Sequence, residues 1–135
     1  MTFALSAAHN DARLEGTRTF ADTGVQNSRI HLYASAQPAT GADPGGVPLV
    51  TLVLAKPCGT VTGGVLTLAQ ADLSGELVMA TGSALWARWV NGSDDLVADC
   101  TVSDSAGAGD IKLSGTTGTL LYAGARALLG SAALG

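Results

Sequence analysis

The stretch from residue 83 to residue 102 limits the possible folds more than any other part of the chain. Ser83, Leu85, Ala87 and Trp89 alternate with Ala84, Trp86, Arg88 and Val90, and Leu96, Ala98, Cys100 and Val102 alternate with Val97, Asp99 and Thr101. A two-residue period puts successive side chains on opposite faces of an extended strand. Between the two runs stands Asn91-Gly92, a dipeptide favoured in two-residue hairpin turns because both positions tolerate positive φ. The expectation is a β-hairpin with Trp86 and Trp89 on opposite faces, one in the core and the other either free to be a contact residue or also covered within the fold, Trp89 by the N-terminal helix.

The same pattern recurs elsewhere. Ile30, Leu32 and Ala34 alternate with Arg29, His31 and Tyr33, which predicts a half-buried strand. Residues 50–55 are apolar at nearly every position and read as a strand covered on both sides, ending at Pro57 because proline cannot donate to a ladder. Residues 60–64 are expected to turn the chain. Residues 65–69, 76–81, 110–113 and 119–122 form further short strands, and residues 125–133 are a strand or a short helix. Residues 37–48 carry Pro38, Gly41, Pro44, Gly45, Gly46 and Pro48, the chemistry of a long surface loop. At the front, Ser6 is placed to cap a helix over residues 6–22, with Ala8, Ala12 and Phe20 on one face and Gly24 at its end. The fold class is therefore mainly β: an antiparallel β-sandwich or jelly-roll-like barrel of about seven to eight short strands with one N-terminal helix. Residues 1–24 are read as an accessory arm and helix, and residues 25–135 as the β-sandwich domain of a single structural unit.

Of the 135 residues, 47% are hydrophobic and 13% charged, about half the usual charged share. A surface so short of charge is expected to meet other copies or partners, unless Ser, Thr and Gly supply its polarity. The net charge is −4 and the seven Lys and Arg are scattered, which argues against nucleic acid, where basic residues cluster. Residues 47–55, the longest nearly apolar run, reach about half the length needed to span a bilayer as a helix. No membrane segment and no secretion signal are expected. Cys58 and Cys100 read as free, buried thiols, with no metal-ligand spacing beside them.

No side chains assemble into a recognisable catalytic pattern. His9 and His31 lack acid–base partners nearby in sequence, and His31 falls on the polar face of its strand. Asp94 and Asp95 follow a turn and suit the capping of backbone amides. Residues 104–110 resemble a calcium loop but lack the terminal bidentate Glu. Neither an enzyme nor a cofactor is expected.

Several stretches carry a resemblance. They are Asn10-Asp11-Ala12-Arg13-Leu14, Ile30-His31-Leu32-Tyr33 with Gln37-Pro38-Ala39-Thr40, Thr62-Gly63-Gly64-Val65-Leu66-Thr67, and Thr81-Gly82-Ser83-Ala84-Leu85-Trp86-Ala87-Arg88. The likeness continues through Asn91-Gly92 and Asp99-Cys100-Thr101-Val102 to Lys112-Leu113-Ser114. In these the chain resembles a family of small proteins encoded among the structural genes of tailed bacteriophages and prophages. Residues 125–135 are richer in Ala and Leu than that family's last strand. The resemblance implies a virion location, in the tail or fibre or alternatively as a capsid decoration, with other copies and other virion proteins as partners. Phe3, Leu5, Leu14, Phe20, Trp86 and Trp89 are the candidate interface residues. A rival reading is a carbohydrate-binding module that uses an exposed Trp and residues 37–48.

Overall fold

The computed structural model describes residues 4–115 and 117–135. Helix α1 (Ala7–Ala21) is followed by β1 (Arg29–Tyr33), β2 (Val50–Thr62), β3 (Val65–Gln70), β4 (Glu76–Leu77) and β5 (Gly82–Ser83). Then come β6 (Trp86–Val90), β7 (Leu96–Asp104), β8 (Ile111–Ser114), β9 (Leu120–Leu121) and β10 (Arg126–Leu134). Seven strands, in the order β3-β2-β1-β6-β7-β8-β10, close into a barrel through the β10–β3 pairing. The undecided segment at residues 125–133 is thus the strand that completes the ring.

Closure explains a feature that the sequence reading missed. Strand directions cannot alternate all the way round a ring with an odd number of members, so at least one neighbouring pair must run parallel. That pair is β7–β8, with Val102 opposite Ile111; the other ring pairs are antiparallel. The crossover takes only residues 105–110, far less than the dozen or more residues usual between parallel strands. Gly109 makes so tight a return possible: a methyl group there would lie 2.6 Å from the Ser103 amide nitrogen. Polar contacts then fix the loop to the strand it crosses. Thr101 donates to Asp110 from its amide and its hydroxyl, each at 3.1 Å, and the Gly109 amide donates to the Ser103 hydroxyl at 2.9 Å.

The barrel interior holds Ile30, Leu32, Leu52, Leu54, Leu66, Ile111 and Trp89, all almost completely buried. Each such side chain contributes about 1.5–3 kcal/mol relative to exposure. The seam between β3 and β10 is only partly strand-paired. Beyond Ala133 and Thr67 the ladder gives way to the buried side chain of Gln70, whose amide donates to the Ala127 carbonyl at 3.3 Å and whose oxygen accepts from the Leu129 amide at 2.9 Å. β4 then pairs with the start of β10, Leu77 opposite Arg126. Gln70 therefore stands in for strand pairing. Gln70→Leu is expected to destabilise the protein by about 2 kcal/mol by orphaning a backbone donor and an acceptor, measured as a lower urea midpoint with an unchanged slope.

β2 runs straight through Pro57 to Thr62, contrary to the expected end at the proline. Its register against β3 shifts between Leu54 and Gly59, so Pro57 sits in an irregularity where it owes no ladder bond. Backbone groups there are satisfied from outside: the Cys58 amide donates to Asp22 at 2.9 Å, and Asn27 donates to the Leu54 carbonyl at 2.9 Å. The expected turn over residues 60–64 narrows to Gly63-Gly64, both at positive φ.

α1 begins as expected, with the Ser6 hydroxyl accepting from the His9 amide at 3.1 Å, and the chain leaves it through Gly24 at φ 108°. Its buried face is not the expected one. Ala8, Ala12 and Phe20 are exposed, whereas Leu14 and Ala21 join the barrel core. The polar residues of that inner side hold the helix to the barrel. Asp11 accepts from the Gly64 amide at 2.9 Å, and Asn10 donates to the Gly64 carbonyl at 3.4 Å. α1 therefore lies across one mouth of the barrel and shares its core instead of standing apart as an accessory.

Candidate functional site

β1 runs from Arg29, near the end of α1, to Tyr33 at the opposite mouth. There the Leu85 amide donates to the Tyr33 carbonyl at 2.8 Å. That second mouth is closed by the chain from β4 to β6 together with the chain around β9. The Val78 amide donates to the Ala125 carbonyl and the Val78 carbonyl accepts from the Gly124 amide, Gly82 and Ser83 pair with Leu121 and Leu120, and the Met79 amide donates to the Leu49 carbonyl. Alternation then sorts the side chains. Val78, Ala84 and Leu121 face the core, while Leu77, Met79, Leu85 and Tyr122 face outward. Met79 is 72% exposed and Tyr122 50%.

The two mouths differ in charge. Residues 77–87 and 113–125, which build the second mouth, contain no Asp, Glu, Lys, Arg or His. The helix side carries three of the four ion pairs among the described residues: Arg18 with Glu15 and with Asp22, and Arg29 with Asp94. Glu76 and Arg126 flank the uncharged mouth at neighbouring positions of the β4–β10 pair. A cavity of about 240 Å³ opens beside Tyr122 and is lined by Val78, Leu113, Leu120 and Leu121 among others. Clustered apolar exposure with polar groups at its rim is the usual form of an interaction site. Leu77, Met79, Leu85 and Tyr122 are not among the interface residues expected from the sequence. The signal was there in the two long gaps between charged residues.

The expected interface residues are scattered over the molecule. Leu14 belongs to the core, Leu5 is half-buried, and Phe20 is 44% exposed on the outer side of α1. Phe3 lies outside the described residues. Both tryptophans are covered, the second of the two readings left open by the sequence. Trp89 fills the barrel. Trp86 points outward as the alternation requires, but the loop over residues 36–48 folds down on it. Tyr33 stacks on Trp86 with ring centroids 4.7 Å apart, and the Arg88 guanidinium lies 5.1 Å from the Trp86 ring. Arg88 donates to Asp99 at 2.8 and 3.1 Å and to the Ala42 carbonyl at 2.7 Å, and the Gly41 amide donates to Asp99 at 3.1 Å. Burial alone would raise the Asp99 carboxyl, but the bonds from Arg88 and Gly41 outweigh it and hold it below its ordinary value. This cluster straps a loop to the barrel wall and leaves no stacking platform on either Trp.

The remaining polar candidates are engaged in the fold. His31 is half-buried, not exposed as expected, and its Nδ1 lies 2.8 Å from the Thr51 hydroxyl. Burial and then Arg29 lower its pKa. Asp104 accepts from the Ala106 amide and Asp110 from Thr101, so the calcium-loop lookalike turns its carboxylates onto its own backbone. Among the described residues, no three His, Cys, Asp or Glu converge as metal ligands, and no helix is long and apolar enough to cross a membrane.

Cys58 and Cys100 are free and buried. Burial, reinforced by Asp22 for Cys58 and by Asp110 for Cys100, pushes each thiol up to about 12. Because the thiolate is the nucleophile, neither is expected to react with a thiol reagent at pH 8 until the protein unfolds, as read by absorbance with a disulfide reagent with and without denaturant. A raised folded pKa stabilises below the unfolded value of about 8.5. That contribution is lost as pH climbs toward 12, so stability should fall steadily above about pH 9 and fall less in a Cys58→Ala/Cys100→Ala protein.

Compared with protein-family models, curated protein sequences and solved structures, the chain shows no significant match.

Proposed function

We propose that the protein is a structural component of a tailed-phage virion, present in many copies, which works by seating its uncharged barrel mouth against a neighbouring assembly protein. The observation that carries the contact is the outward cluster of Leu77, Met79, Leu85 and Tyr122 on a surface without charge. In the closed ring each strand has a neighbour on both sides, and the short β3–β10 seam is filled by Gln70, so association runs through side chains and not through strand addition. The place in the virion rests on the sequence resemblance, which favours the tail or fibre, with capsid decoration as the alternative. The glycan-binding reading has lost its exposed Trp.

The test is an antibody against the protein, applied to particles released by the source organism and banded on a density gradient. The expected result is a signal that follows the particles at a fixed number of copies per particle. A protein that stays entirely in the unassembled fraction would defeat the reading.

A further inference from the structure

Resting on that contact surface, we propose that its partner is a second copy of this chain, in an isologous dimer whose twofold axis passes through the uncharged mouth. In such a contact, residues near the axis meet their own equivalents, so any charge there would face its like. The mouth satisfies this condition, since Leu77, Met79 and Tyr122 project from segments that hold no ionisable group other than the tyrosine hydroxyl. Two copies that each carry −4 repel one another over most other approaches.

The rim is polar but kept off the axis. Arg126, opposite outward-facing Leu77 on the adjacent strand, donates to the Gly75 carbonyl at 3.1 Å, while Glu76 is opposite the buried Ala127.

Area agrees with this pairing. The outward apolar side chains of the mouth, 47% to 72% exposed, present on the order of 400 Å². One side of a standard interface buries about 800 Å², a little over half of it apolar. The cavity of about 240 Å³ beside Tyr122 is roomy enough for a methionine or leucine side chain from the other copy, and methionine adapts readily to such a gap.

Sedimentation equilibrium of the full chain tests this, with circular dichroism to show that each variant is folded. The wild type is expected to dimerise at tens of micromolar. Met79→Lys should raise the dissociation constant by about tenfold or more. Val25→Lys, at a site 99% exposed near the helix mouth, should change it less than about twofold. Tyr122→Lys, on the other segment of the mouth, should weaken the dimer as Met79→Lys does. A wild type that remains monomeric to about 100 μM, or a Met79→Lys or Tyr122→Lys protein that dimerises normally, would each overturn the proposal. The particle gradient separates this failure from failure of the broader reading. If the wild type is monomeric but Met79→Lys strips the protein from particles, the mouth binds a different virion protein; if neither changes, the mouth is not the contact surface.

Discussion

Replacing Arg88 with methionine is expected to lower stability by about 3–5 kcal/mol, because it removes one partner of a buried ion pair and strands the other. The Asp99 side chain is only 1% exposed, and without Arg88 its carboxylate keeps only the Gly41 amide. The Ala42 carbonyl loses its donor at the same time. Methionine preserves much of the apolar stem over Trp86, so the loss reports the charge and its hydrogen bonds more than the packing. The loop over residues 36–48 should then lift, shifting tryptophan emission toward longer wavelength. A second change, Asp99→Leu, removes the orphaned charge and should recover more than half of the loss. Urea unfolding of the two proteins decides the matter; a cost below about 1 kcal/mol would mean that the pair behaves like a surface bridge. pH acts through the same group. The Asp99 carboxyl is depressed in the folded state, so its contribution is present above the unfolded value of about 3.9 and is lost as pH falls through the lower folded one.

Gly92→Ala should cost at least about 3 kcal/mol, for a reason unrelated to turn propensity. A methyl group on Gly92 would overlap the Gln26 carbonyl oxygen and stand 2.9 Å from that of Thr23, both of them backbone atoms that cannot rotate away. The Gly92 amide donates to Thr23 at 2.9 Å, and the adjacent Asn91 donates to the Phe20 carbonyl at 3.3 Å. The substitution therefore pushes the end of α1 off the barrel mouth. Thermal unfolding should show the loss, and faster amide exchange in α1 than in β6 would locate it. A protein as stable as the wild type would show that the chain following α1 has room to move.

The hairpin shows what the sequence could and could not reveal. Period-two alternation is local, and it correctly put Trp86 and Arg88 opposite Ala87 and Trp89. The Asn-Gly reading failed in register. A two-residue turn would set Arg88 opposite Asp95, but the turn runs to Asp95, with the Asn91 side chain accepting from the Ser93 and Asp95 amides, and Arg88 meets Asp99. The shift is an even number of residues, so the faces survived while the buried ion pair went unseen. Leu85 was lost differently: it lies in an irregular step between β5 and β6 where alternation lapses. Outward-facing Trp86 looked like a contact residue because its cover comes from a loop some fifty residues earlier in the chain. The N-cap of α1 was legible at Ser6, while its C-cap is Asp22, with Gly24 two residues beyond at positive φ, and its inner face was not legible. Asn10 and Asp11 turn inward for the Gly64 backbone, a need that hydrophobic periodicity does not encode. The apolar mouth is assembled from two segments separated in sequence, and each alone reads as ordinary Gly/Ser/Thr-rich chain.

Gly64 has a practical consequence. Its amide and carbonyl engage the first turns of α1, and its carbonyl oxygen also lies close to Gly135. The front of the helix and residue 135 thus emerge side by side at the helix mouth, away from Met79 and Tyr122. A fluorescent domain or affinity handle joined at either place would leave the uncharged mouth unobstructed.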